Sequence, residues 1–217
     1  MMSSPRASGA SGTYVHPPEQ LVRIPMVGGW LAVGADLFLL LPWFFAFFYL
    51  EALNTHHDWK PSGVHPPSVA LGTLVMLLAV GGVAVYFVGI RWLLDRGTYP
   101  RFVPMGWTAM VLVVASIAVN VVQLSHMGFG VSSGGYASVF VGLSVVYTIQ
   151  LGVLVLWLLA VTNRARYEIA HPPVAPTDGV ALSEEAMPLE AMGASLRVFA
   201  GFLGAVVLLS WLVLYFL

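Results

Sequence analysis

Five long apolar runs, at about 27–51, 68–94, 104–127, 135–162 and 195–217, constrain this chain more than any other feature of it. About 20 such residues are what a helix needs to cross a hydrocarbon core. No water is available there to take up backbone N–H and C=O groups, so each segment must satisfy its own, and the helix is the way to do so. None of the runs shows the in-out alternation of barrel strands. The expected fold class is therefore all-α, an integral membrane bundle of five transmembrane helices. Composition points the same way, with 9% charged and 59% hydrophobic residues, where a soluble domain carries roughly 25% charged residues.

Lys and Arg mark the orientation, because cytoplasmic connections are enriched in them. Arg6, Arg23, Arg91, Arg96, Arg101, Arg164, Arg166 and Arg197 fall on one side of the expected topology, and Lys60 alone falls on the other. The N-terminus is expected in the cytoplasm and the C-terminus outside. Residues 1–26 read as a disordered cytoplasmic tail: MMSSPRASGASGTYVHPPEQ is rich in Ser, Gly and Pro and has no apolar signal-peptide core. Residues 27–217 then form the membrane domain. Its cytoplasmic loop, at about 164–194, contains HPPVAPTDG and the acidic SEEAMPLEAM, and reads as a solvated linker with a short amphipathic turn near Ser183 to Met192. The connection SHMGFGVSSGG is a Gly/Ser turn between antiparallel neighbours.

The chain has no cysteine, which removes disulfides, thiolate-held clusters and covalent haem attachment. Its six histidines, His16, His56, His57, His65, His126 and His171, all lie in tails, loops or helix ends. A membrane haem takes axial ligands, most often His, at bilayer depth. No catalytic, cofactor-binding or metal-ligating residue is therefore expected in this chain. His56, His57, Asp58, His65 and His126 gather on the expected outer face, where Zn or Cu would be the suitable ions, but adjacent His in a Pro-rich loop are ordinarily polar punctuation.

Asp36 is the one carboxylate in the interior of an expected membrane helix, Glu51 lying at the very end of the same run. Ionised and facing lipid it would cost several kcal/mol, so it should face protein, be hydrogen-bonded or carry a proton. Counting depth along the helices puts Tyr147 and Gln150, on the fourth, at a similar level and makes them its candidate partners. Asn120 and Gln123, with Ser116, form a second buried polar set on the third helix. For all of these, hydrogen bonding between helices is the plain reading and a proton-linked role the sharper one. Gly81, Gly82, Gly89, Gly201 and Gly204 suggest close helix approach. Arg91 and Trp92, at the cytoplasmic end of the second helix, suit a phospholipid headgroup and an interfacial anchor.

Several stretches resemble subunit III of the haem-copper (cytochrome c) oxidases. Asp36, Phe44, Ala46 and Phe47 resemble the family's helix in which Ser-Glu is followed by a Phe-rich run, with Asp36 at the Glu. Trp59 and Pro61 are similar to its Trp-Pro-Pro, and Tyr136, Ser138, Val139 and Phe140 to its Tyr-Gly-Ser-x-Phe. Five helices, an inside N-terminus and a final Tyr215-Phe216 resemble the short bacterial form. The departures are as specific: the family's two His on the fourth helix fall on Tyr147 and Gln150, its His and Asp on the last helix on Gly201 and Gly204, and its Glu on the third on Asn120 or Gln123.

The resemblance implies a divergent, non-catalytic accessory subunit in the bacterial inner membrane. Haem and copper would lie in a partner, subunits I and II would be neighbours, and phospholipid would be bound. No nucleic-acid partner is expected. In this picture Asp36 and the aromatics of the first helix border the second helix and an internal lipid. A nitric oxide reductase is the related host complex. The reading from another class is a small transporter or channel with Asp36, Asn120, Gln123 and Gln150 along a polar path, and a membrane-embedded enzyme is the weakest.

Overall fold

The computed structural model describes residues 18–54, 59–60, 67–96, 99–171 and 189–217. They form five helices: α1 (Pro18–Ala52), α2 (Val69–Arg96), α3 (Tyr99–Ser125), α4 (Gly135–Ala170) and α5 (Leu189–Phe216). Each is long and apolar enough to cross a membrane. The protein is an all-α, multi-pass membrane bundle.

The helices overrun the apolar stretches at the Arg-rich end. α1 begins at Pro18, so residues 18–26 are helical and not tail; proline is well placed there, since the first turn has no partner for its missing N–H. α4 continues past 162 to Ala170, and there Arg164 Nε donates to Glu168 Oε1 at 3.0 Å, one turn on. α5 starts at Leu189. The expected loop at 164–194 is thus shorter at both ends, because hydropathy marks hydrocarbon and a helix needs only local backbone bonds to run beyond it. The first part of the expected turn at Ser183 to Met192 lies outside the described residues, and its last four residues belong to α5.

α2, α3, α4 and α5 close a four-helix ring, α2 on α3, α3 on α4, α4 on α5 and α5 on α2. α1 lies outside the ring, against α4 and α5. α1 packs chiefly on α4 and α5, and its expected border with α2 is confined to its N-terminal half, where Met26 and Trp30 share a depression with Phe87 and Leu94 of α2. Gly29, Val33, Leu40 and Phe47 are buried, with Asp36 and Trp43 half-buried between them, and spacings of four and three residues keep all six on one stripe. Trp30, Leu31, Phe38 and Phe45 point away from it and are exposed.

Close contacts fix the register of α1. A Cβ at Gly142 would overlap the Trp43 ring, and one at Gly135 would lie 3.7 Å from Leu50 Cβ, so α1 and α4 run antiparallel. A Cβ at Gly29 would meet Ser195 Oγ at 2.8 Å, which places the N-terminal ends of α1 and α5 together. Of the small residues expected at helix contacts, Gly82 faces Val113 and the Ala109 carbonyl, Gly89 faces Met105, Gly201 faces Phe87 and Gly204 faces Val83. Gly81 has open space in front of it. The connection before α4 turns at Gly134, whose φ of 131° is a backbone conformation open to glycine.

At the Arg-poor end the ring is closed by aromatics. Phe47 and Trp59 meet edge to face at 5.0 Å, Trp59 and Tyr136 at 5.7 Å, and Phe140 and Tyr215 at 5.7 Å, with Tyr136 tilted against Phe140 at 5.9 Å. Tyr136 N donates to Trp59 O at 3.0 Å, and Asn54 Oδ1 accepts from Trp59 N at 3.2 Å. These bonds pin the first connection onto the start of α4. Lys60 places its ammonium 4.4 Å from the centre of the Tyr136 ring.

Candidate functional site

The polar side chains of the bundle interior are divided among separate places, and helix registry decides the division. Inside the ring, Asn120 on α3 is the hub. Its Oδ1 accepts from the Tyr147 hydroxyl at 3.0 Å and its Nδ2 donates to Thr148 Oγ1 at 2.7 Å. Thr148 returns its hydroxyl proton to the Ser144 carbonyl at 2.6 Å. Nearer the Arg-poor end, one turn along α3, Gln123 Nε2 donates to the Tyr215 hydroxyl of α5 and, at 3.5 Å, to the Ser68 carbonyl. Ser116 donates to the Val75 carbonyl of α2 at 2.8 Å. Apart from the Thr148 bond within α4, these bonds tie α3 to another part of the bundle, and each partner is neutral.

Asp36 and Gln150 stand apart from that network, on the seam where α1 meets α4. The register set by Trp43 at Gly142 and Leu50 at Gly135 brings Asp36, two turns before Trp43, level with residues 149 and 150. Gln150 is the side chain that faces its carboxyl. No hydrogen bond of good geometry closes between them: Asp36 Oδ2, Gln150 Nε2 and Gln150 Oε1 are all buried without a partner. Asp36 is twelve residues from the start of its span at Ile24, hence about 18 Å along the helix at 1.5 Å per residue. That is close to mid-membrane.

Of the two residues expected opposite Asp36, Gln150 is there and Tyr147 is not. Tyr147 turns into the ring toward Asn120, because three residues along a helix rotate a side chain by about 300°, enough to change which neighbour it meets. Asn120 and Gln123 share α3 but hold different partners.

Arg91 is exposed, and Trp92 is half-buried with the Arg101 guanidinium 4.8 Å from its ring centre. The cation beside this indole thus comes from α3. His126 closes α3, where its Nδ1 lies 2.9 Å from the Val122 carbonyl and 3.1 Å from Ser125 Oγ. His56, His57, Asp58 and His65 lie outside the described residues. Among the described residues no three His, Asp or Glu side chains converge on a point where a metal would sit.

Further interior bonds involve Tyr86 and Trp211, which the sequence does not single out, and the hydroxyl of Tyr136. Tyr86 donates to the Gly193 carbonyl at 2.8 Å, Tyr136 to the Leu214 carbonyl at 2.7 Å, and Trp211 Nε1 to Thr73 Oγ1 at 3.1 Å. The legible signal is a tyrosine facing a backbone that glycine leaves uncovered, as with Tyr86 at Gly193, but pairing the two needs the helix order.

The arrangement can hold helices together through amide, phenol and hydroxyl groups. Among the described residues, the fully buried polar side chains include no carboxylate, imidazole or cation that could pass a proton on from Asp36. A scan against protein-family models finds no match for the chain, and a search of curated proteins finds none either.

Proposed function

We propose that this chain is a non-catalytic accessory subunit, of the subunit III type, in a haem-copper terminal oxidase of a bacterial inner membrane. Its N-terminus is cytoplasmic and its C-terminus outside, as the eight Arg and one Lys indicate. It binds beside the subunit that carries haem and copper, and it supports assembly and stability of that subunit with phospholipid between helices.

One observation carries the reading. Four aromatic residues among those on which the resemblance rests, Phe47, Trp59, Tyr136 and Phe140, are scattered over ninety positions of sequence and pack as one cluster, continued by Tyr215. A chance likeness in apolar sequence has no reason to gather at one place. The single-sided packing of α1 fits the same role, since its outer face with Phe38 and Phe45 is free for a neighbouring subunit or lipid.

The transporter reading is disfavoured by geometry. Asn120 and Gln123 lie inside the ring, and Asp36 and Gln150 lie on the outer seam, so the four do not line one path.

Blue-native separation of membranes tests the proposal. The chain should migrate with haem absorbance, and its deletion should lower the amount of assembled oxidase. A free 23 kDa species beside an intact oxidase defeats it.

A further inference from the structure

Three buried polar atoms without partners, Asp36 Oδ2, Gln150 Nε2 and Gln150 Oε1, meet on the α1–α4 seam near mid-membrane. Such groups are costly in hydrocarbon, and native interiors leave few of them unpaired. What they lack is decided by counting donors. A primary amide offers two N–H donors and a carbonyl acceptor, whereas an ionised carboxylate only accepts. An anionic Asp36 can take one N–H from Gln150, but it leaves Gln150 Oε1 unsatisfied and directed at a negative charge. A neutral carboxylic acid supplies the missing donor. Its O–H donates to Gln150 Oε1 while Gln150 Nε2–H donates to its carbonyl oxygen, and one proton satisfies all three atoms in a reciprocal two-bond ring.

We propose that Asp36 is a proton-binding site that carries its proton at neutral pH, closed by Gln150 as an acid–amide pair that clasps α1 to the four-helix ring. Among the described residues the surroundings supply no competing charge. On α1 the nearest ionisable groups are Arg23 and Tyr49, each thirteen residues and so more than three turns away. On α4 the nearest is Tyr147, whose hydroxyl is committed to Asn120. At this height α5 presents Phe202, Leu203 and Gly204, by the register that Gly29 makes with Ser195. Arg197, lower on α5, holds its guanidinium 5.5 Å from the Phe87 ring of α2. With no cation at hand, ionisation would break the clasp and place a lone charge between two helices, so the proton also governs how firmly α1 is held. The assignment does not depend on the oxidase reading.

Infrared difference spectroscopy tests it on the full protein in lipid, with whatever complex it carries, at neutral pH. Solvated Asp and Glu are ionised there, so a carboxylic-acid carbonyl band isolates a buried acid. The wild-type minus Asp36→Asn difference should contain one such band, shifted down in deuterium oxide. Asn can form the same two-bond ring with Gln150, so that variant should keep its fold. In Gln150→Leu the band should persist and move to higher frequency, because its carbonyl has lost the amide donor; a merely structural contact would put no acid band there at all. Absence of the band from the wild-type difference, or a band that ignores Gln150→Leu, overturns the proposal.

Discussion

Gly81 and Gly82 are adjacent in α2, and the same substitution at each should have opposite effects. A Cβ at Gly82 would meet Val113 Cγ2 at 2.8 Å and the Ala109 backbone oxygen at 3.0 Å, and a Cβ at Gly81 would meet nothing within 4 Å. Restoring the first contact to 3.4 Å, where ordinary packing begins, needs a shift of about 0.6 Å. The second contact is backbone, so no rotamer of α3 can relieve it and the two helices must part. Overpacking of this kind costs typically 1–3 kcal/mol. Ala also gains on Gly by roughly 0.5–1 kcal/mol within a helix. That gain is common to both positions and cancels between them. Gly82→Ala should therefore be less stable than Gly81→Ala by about 1–3 kcal/mol, while Gly81→Ala should match or exceed the parent. Reversible unfolding in mixed micelles, followed by loss of tertiary signal, measures both. Equal stability of the two variants, or the reverse order, would falsify the packing of α2 on α3 described above.

Further outcomes follow from the same geometry. Leu50→Cys with Gly135→Cys should oxidise to a disulfide in a chain that otherwise has no cysteine, since the 3.7 Å between their Cβ positions lies within the usual 3.5–4.5 Å; a non-reducing gel with no shifted band refutes the α1–α4 register. Asn120→Leu removes the hub shared by Tyr147 and Thr148 and should lower stability by about 1–2 kcal/mol, at roughly 0.6 kcal/mol per membrane hydrogen bond plus the orphaned phenol; Tyr147→Phe in that background should then cost almost nothing more. Tyr86→Phe should cost about 0.5–1.5 kcal/mol through loss of its bond to Gly193 O, with no change in helicity by circular dichroism. Arg164→Ala, at a half-exposed pair one turn apart, should change stability by less than about 1 kcal/mol in the same assay.

The candidate site was legible in part. Asp36 stands out because a carboxylate in an apolar run is costly wherever it ends up, and depth counting reaches Gln150 because an antiparallel pair of straight helices keeps nearly one register along its length. The same count could not tell Tyr147 from Gln150. Which of two residues faces α1 and which faces α3 depends on the azimuth of α4 in the bundle, and a helix that is apolar all round carries no stripe to reveal it. Arg91 and Trp92 are neighbours in sequence and so looked like one lipid contact, yet the cation over Trp92 belongs to Arg101 of α3. Pairings across helices of this kind have no local sequence signal.

Five spans, their helical nature and the sidedness of their charges were determined by sequence alone, because the bilayer imposes a length, a backbone rule and a charge bias on each segment independently. The order in which the helices close was decided only by tertiary structure. That α1 lies outside the ring, that Gly82 is filled and Gly81 open, and that Asp36 meets an amide with three atoms to satisfy all follow from how shapes interlock. In hydrocarbon every helix face is apolar, so hydrophobicity cannot choose among neighbours; close packing and a few polar partners make that choice.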